Sequence, residues 1–238
     1  MNIHKDTFRK LEELGDQAGA YQPTFEFEGK YIDPSHRFYA ECPLNDQYQL
    51  QLKHRLWDRW IVKGYLLRED ALKLYEMAYF AQGDILELGS YRGLSTCILS
   101  QANRNSSYRK HIVTVDLSPK SVLFTTFNLY SMGLKRNLSI QWAEAAQAIR
   151  QFARKQRKFS FVFIDHAHNY EPVYAVCQEL KTIVAKGGFC LFHDFNVPEN
   201  KDAGNSDFKV YQAVQAGLKA DEFEFYGIYG CSALYRAL

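Results

Sequence analysis

The chain has 238 residues, and at roughly 150 residues per domain this predicts one core with an appendage rather than two full domains. Its composition, 47% apolar, 15% aromatic and 24% charged, is that of a globular protein and excludes disorder, collagen and coiled coil. The 29 Lys and Arg against 27 Asp and Glu leave a net charge of +2, too small for a dedicated nucleic-acid binder whose affinity comes from neutralising phosphates.

The N-terminus, MNIHKDTFRKLEELG, is polar and lacks the apolar stretch of a targeting peptide, and nowhere do about 18 apolar residues run together as a membrane span requires. A cytoplasmic protein with no membrane contact is expected. The cysteines, Cys42, Cys97, Cys177, Cys190 and Cys231, are odd in number, dispersed and never in a Cys-x-x-Cys pair, which excludes a disulfide framework and a zinc ribbon. Residues 1–82 are rich in aromatic and charged side chains, among them Tyr21, Phe38, Trp57 and Trp60. They are expected to form a separate region that covers a substrate pocket or packs against a second copy of the chain. Its last stretch, 66–83, repeats Ala71, Leu72, Leu74, Tyr75, Met77 and Ala78 near helical spacing and stops at Gly83.

From residue 84 onward, short apolar runs alternate with longer amphipathic ones. The predicted strands are DILEL (84–88), HIVTV (111–115), LSIQW (138–142), FSFVFI (159–164) and GFCLFH (188–193). Between them lie the helical patterns LSTCILSQA, PKSVLFTTFNLYSMG, AEAAQAIRQFARKQ and EPVYAVCQELKTIVAKG. Such alternation with nearly continuous apolar strands predicts an α/β fold, a doubly wound parallel sheet covered by helices on both faces. After a further helix, KVYQAVQAGLKA, the runs EFEFYG and CSALYRA are separated only by a tight connection around 227–230, which predicts an antiparallel hairpin at one sheet edge.

In such a sheet, ligands sit outside the carboxyl ends of the strands near the point where strand order reverses. The first strand end reads ILELGSYRGLST, with Glu87 in the strand and Gly89 and Gly93 bracketing a turn into a helix, where missing side chains let backbone approach a ligand. The spacing is Gly-x-x-x-Gly and not the Gly-x-Gly-x-x-Gly of a dinucleotide site. The second strand ends in Asp116, whose carboxylate suits the two hydroxyls of a ribose.

Residues 83–96, GDILELGSYRGLST, resemble motif I of class I S-adenosylmethionine-dependent methyltransferases, and Asp116 falls where that family places its ribose-binding acid. The likeness continues to residue 238. FIDHAHNYEPV (163–173) followed by LKTIVAKGGFCLFHD (180–194) is similar to the small-molecule O-methyltransferase group that includes macrolide sugar methyltransferases and cephalosporin hydroxylase-type proteins. The resemblance implies a Rossmann-like methyltransferase domain over 83–238 with strand order 3-2-1-4-5-7-6, the last strand antiparallel, binding S-adenosylmethionine and often a divalent metal. Ser90, inside the glycine loop, joins Glu87, Gly89, Gly93 and Asp116 as a cofactor residue on this basis. Glu144, after the third strand, stands where the family often places an adenine contact; a helix first-turn acid is the other reading.

Asp165 closes the fourth strand, and His193 with Asp194 closes the fifth, so neighbouring strands bring two carboxylates and an imidazole to one rim. Two acids suit magnesium; a ligating His193 makes manganese, iron or zinc competitive. These three residues map onto the metal positions of the resembling group, and His168 onto its general base, which removes the proton that keeps a hydroxyl a poor nucleophile. His166 replaces the group's glycine and competes for that role. Asn196 offers an oxygen or a loop cap. The basic run Arg150 to Lys158 reads as a solvated helix terminus.

The expected activity is methyl transfer from S-adenosylmethionine to a hydroxyl of a small molecule, a natural product or sugar, catalysed by His168 and Asp165 with metal assistance. The alternatives are a methyltransferase-like protein that binds without catalysis and a nucleotide-dependent oxidoreductase. Neither nucleic acid nor membrane is expected as a partner.

Overall fold

The structure, a computed structural model, describes residues 52, 53, 55, 61–202 and 204–238. The aromatics from Tyr21 to Trp60 and Cys42 lie outside the described residues, and with them most of the region read as an appendage.

Two short strands come first, β1 (Leu52–Lys53) and β2 (Ile61–Val62), paired antiparallel to each other. Helix α1 (Arg68–Phe80) follows, shorter at both ends than the spacing predicted. Its amphipathic pattern is weak because it is buried nearly all round, Lys73 and Glu76 included. Lys73 Nζ donates to Glu76 Oε2 at 2.5 Å and lies 3.9 Å from the centre of the Tyr229 ring. Burial pulls the Lys73 ammonium down to about 7 and pushes the Glu76 carboxyl up to about 7.

The main sheet has seven strands in the order β5-β4-β3-β6-β7-β9-β8. These are β3 (Ile85–Leu88), β4 (Ile112–Asp116), β5 (Leu138–Trp142), β6 (Phe159–Ile164), β7 (Val184–Phe192), β8 (Phe223–Tyr229) and β9 (Ser232–Ala237). Pairs from β5 through β7 are parallel, and β9 runs antiparallel to both β7 and β8, which is the 3-2-1-4-5-7-6 order expected. β3 is apolar throughout except for Glu87 because strands flank it on both sides and helices cover both faces.

The alternation along the strands builds two cores. Ile85, Ile112, Phe161 and Leu191 face α1, α2 (Leu94–Asn105) and Leu129 of α3 (Pro119–Ser131). Leu86, Val113, Val162 and Phe192 face α4 (Ala145–Arg154), α5 (Tyr170–Glu179) and α6 (Val210–Gly217). Helix starts carry recognisable signals: Ser118 Oγ accepts from Ser121 N at 3.3 Å with Pro119 in the first turn, and the Glu144 carboxylate accepts from Ala146 N and Gln147 N at 2.9 and 2.7 Å.

Two connections differ most from expectation. The helix predicted through residue 187 ends at Glu179; a 3-10 turn, Leu180–Thr182, follows, and β7 begins at Val184 rather than 188. Apolar Ile183 and Val184 fit either period, and Gly187 at φ 74°, inside β7, sits at the irregularity in the β6–β7 register. The connection in the final hairpin, expected around 227–230, is the pair Gly230 and Cys231, since Gly227 lies within β8 beside a register shift and β8 runs on to Tyr229. No helix of the described residues is long and apolar enough to cross a membrane.

Candidate active site

Strand order reverses around β3, and the carboxyl ends of β3, β4, β6 and β7 open onto one cavity of about 610 Å³. At one end is the loop after β3. Gly89, at φ 92°, allows β3 and β6 to meet: a Cβ there would stand 2.1 Å from Asp165 O. The loop is organised by Asp116, whose Oδ2 accepts from Ser90 N at 2.9 Å, Ser90 Oγ at 3.2 Å and Tyr91 N at 2.9 Å. Among the described residues its Oδ1 accepts from Ser118 N alone, at 2.8 Å, and a carboxylate oxygen has two lone pairs, so room for a hydroxyl donor remains there.

At the other end, two carboxylates and two imidazoles converge. His168 Nε2 stands 3.0 Å from Asp194 Oδ2 and 4.0 Å from Asp165 Oδ1, and its ring stacks on Phe208 with centroids 4.8 Å apart. His193 Nδ1 lies 3.2 Å from Asp165 Oδ1 and 3.2 Å from Asp194 Oδ2. Asp194 occupies the left-handed region at φ 54°, a conformation uncommon for non-glycine residues though less so for Asp and Asn. Asn200, buried in the following loop, fixes that turn by donating to Asp194 O at 2.8 Å and Phe195 O at 3.1 Å.

Charge within the cluster is strongly biased. Burial alone would raise the Asp194 carboxyl, but His193 and then His168 hold it well below the usual carboxylate range. The hydrogen bond to Asp194 lifts His168 above the ordinary histidine value. Burial opposes charging of His193, yet Cys231, Asp165 and Asp194 together raise it well above that value. His166 lines the same cavity, but its Nε2 is committed to Pro172 O at 3.2 Å, its Nδ1 is buried without a partner, and burial lowers it.

Behind the rim lies an arrangement the sequence did not announce. His193 Nε2 stands 3.3 Å from Cys231 Sγ, which stands 3.3 Å from Asp70 Oδ2 on α1. Asp70 Oδ1 also accepts from Cys231 N at 3.0 Å and Ser232 Oγ at 2.6 Å, tying the last hairpin to the start of α1. Burial pushes the Cys231 thiol up to about 12, so it remains an S–H donor to Asp70.

Of the residues singled out in sequence, Gly89, Ser90, Asp116, Asp165, His168, His193 and Asp194 all line the cavity. Glu87, Gly93 and Glu144 do not: Glu87 is buried beneath the loop and accepts from Thr96 Oγ1 at 2.5 Å, Gly93 packs on Thr125 of α3, and Glu144 caps α4. Asn196 is fully buried and donates to Gly230 O at 3.3 Å, away from the rim. Residues 63–66, between β2 and α1, form a wall that no motif marked. The donor set fits a divalent ion, since ligand atoms of Asp165, His168 and Asp194 lie within 4.8 Å of one another with His193 Nδ1 beside both carboxylates. Mixed nitrogen and oxygen donors suit manganese, iron or zinc better than magnesium.

Residues 86–195 match the family model of a methyltransferase domain. Among solved structures, the chain is similar to an O-methyltransferase from Bacillus cereus in complex with SAH, at 19% identity over 71% of this chain and 78% of that one, TM-score 0.56. It is also similar to the O-methyltransferase TomG from Streptomyces achromogenes, involved in tomaymycin synthesis and in complex with SAM, at 16% identity over 72% and 81%, TM-score 0.59. TrmN from Thermus thermophilus shares the fold at 13% identity over 74% of this chain and 50% of that one, TM-score 0.54.

Proposed function

Starting from an S-adenosylmethionine-dependent methyltransferase domain, we propose that this chain transfers the methyl group to a hydroxyl oxygen of a small molecule. The observation that carries the reading is the single cavity joining the Asp116 loop to the His168–Asp194 pair, which gives cofactor and acceptor adjoining places. The oxygen-directed activity stated for the Bacillus cereus and TomG chains supports it.

The Asp116 loop receives the cofactor, with Oδ1 accepting from a ribose hydroxyl and Gly89 leaving the backbone open to it. Asp165 and Asp194 are shared by both imidazoles, so one imidazole can complete a donor set while the other handles the proton. His193, 4% exposed in its side chain with both nitrogens on protein groups, is the fixed one. His168, 44% exposed beside the cavity, is the one that exchanges a proton with an acceptor. Asp165, Asp194 and His193 would hold a divalent cation, which when bound lowers the pKa of an acceptor hydroxyl. His168 takes the hydroxyl proton, the oxygen attacks the methyl carbon, the sulfur–methyl bond breaks, and the positive sulfonium leaves as a neutral thioether. Asp194 stabilises the resulting imidazolium at 3.0 Å.

Methyl-labelled S-adenosylmethionine incubated with a panel of phenols, catechols and sugars tests this. Label on an acceptor oxygen, lost in His168→Ala while cofactor affinity holds, is expected; label on amines alone would overturn it.

A further inference from the structure

A second cavity, of about 240 Å³, lies at the far edge of the sheet from the active site. Helix α2 starts at the carboxyl end of β3 and must return to the amino end of β4, so its second half and the approaches to β4 and β5 belong to that far edge. The cavity is lined by Arg55, Arg104, Arg109 and Arg136, with Ser100 and Asn103. No carboxylate pairs with any of the four guanidiniums among the described residues, and none contributes to the lining.

Four like charges around one small cavity repel one another, and among the described residues no acid offsets them. The field is felt nearby: burial first, and then Arg109, pull the Lys110 ammonium down to about 8. Asn103 is spoken for, its amide donating to Lys110 O at 2.8 Å and accepting from Lys110 N at 3.0 Å. Ser100 is not. Only 5% exposed, it lines the cavity with a buried Oγ that has no hydrogen-bond partner, a cost normally met by a ligand or water. Gly133, at φ 67°, keeps the wall thin: a Cβ there would stand 2.7 Å from Arg55 Nη1.

We propose that this cavity binds a small phosphate-bearing anion, with the guanidiniums of Arg55, Arg104, Arg109 and Arg136 on its oxygens and Ser100 Oγ as a further donor. Guanidinium forks match phosphate oxygens two at a time, and phosphate is the common anion that accepts from several such groups at once. The volume admits a phosphoryl group with a few carbons. The site is independent of the methyl-transfer reading, since no residue of the first cavity belongs to it.

Inorganic phosphate and glycerol phosphate, titrated calorimetrically into the full chain at constant ionic strength, test the proposal. Saturable binding is expected, with a melting temperature that rises above that in chloride. The tighter of the two ligands tells free phosphate from a phosphomonoester. The double variant Arg104→Gln, Arg136→Gln should weaken binding at least tenfold and Ser100→Ala several-fold, with S-adenosylmethionine affinity unchanged. Both arginines are exposed, so their replacement leaves the core intact. Equal effects of phosphate and chloride, or phosphate binding that survives the double variant, would overturn the proposal. So would a single-stranded RNA oligonucleotide that binds through these arginines where phosphate does not.

Discussion

His193 is fastened to Asp165 through Nδ1 at 3.2 Å, while its other ring nitrogen is held 3.3 Å from Cys231 Sγ. An imidazole gripped at both nitrogens cannot rotate, and it fixes the two rim carboxylates in turn. His193→Ala would leave Asp165 and Asp194 facing one another without the buried cation between them. Removing one partner of a buried charge pair costs about 3–5 kcal/mol. Urea denaturation should show a loss of about that size, and a loss below about 1 kcal/mol would mean the imidazole carries no charge in the fold.

Gly89 and Gly93 look equivalent in the sequence, and both adopt positive φ, at 92° and 84°. Their surroundings separate them. Alanine at 89 drives a methyl to 2.1 Å from Asp165 O at the floor of the cavity, whereas at 93 it meets Thr125 Cα at 3.0 Å between two helices. Each substitution should cost about 1–2 kcal/mol from the left-handed backbone alone. Calorimetry should separate them further: Gly89→Ala weakens S-adenosylmethionine binding at least tenfold and Gly93→Ala much less. Equal losses would mean the loop contributes only its shape.

Glu87 ties stability to pH. Burial raises its carboxyl from 4.5 to about 7, and the hydroxyls of Ser95, Thr114 and Thr96 offset this only in part. Between those two values the native state keeps a proton that the unfolded chain has released. Stability from this group is therefore full below the lower value, is lost as pH rises through the upper one, and is flat beyond. A shift of this size corresponds to about 3 kcal/mol. Glu87→Gln removes the titration while keeping an acceptor for Thr96, so in urea midpoints the variant should gain on the wild type from pH 5 to about pH 7 and level off by pH 8. A constant difference across that range would contradict the account.

The sheet was readable because its signal is local. Runs such as FSFVFI are apolar on both faces only if helices cover both, and acids at strand ends stand out against such runs. Asp116, Asp165 and Asp194 stand out in this way, and all three line one cavity. Glu87, Gly93 and Glu144 share the motif neighbourhood but do not line that cavity: Glu87 accepts from Thr96, Gly93 packs on Thr125 and Glu144 caps α4, placements that spacing alone could not reveal. The start of β7 at Val184 is not legible in the sequence because apolar Ile183 and Val184 satisfy either period. The contact of Asp70 with Cys231 joins the first helix to the last hairpin, and no local pattern marks a pair that only the closed sheet brings together.

That contact makes a prediction about distant coupling. Asp70 is 1% exposed and accepts from Leu67 N at 3.2 Å, from Cys231 through both backbone and thiol, and from Ser232 Oγ. An asparagine in its place keeps one acceptor oxygen and turns an amide donor toward groups that are themselves donors. Leaving such buried groups unsatisfied costs about 1–3 kcal/mol, so Asp70→Asn alone should be measurably less stable. Because the Cys231 thiol bridges Asp70 to His193, the loss should not add to that of His193→Ala. A double-mutant cycle is expected to show a coupling of about 1 kcal/mol or more. Strict additivity would mean that Asp70 fastens the hairpin without reaching the rim, and that α1 and the active site are joined by packing alone.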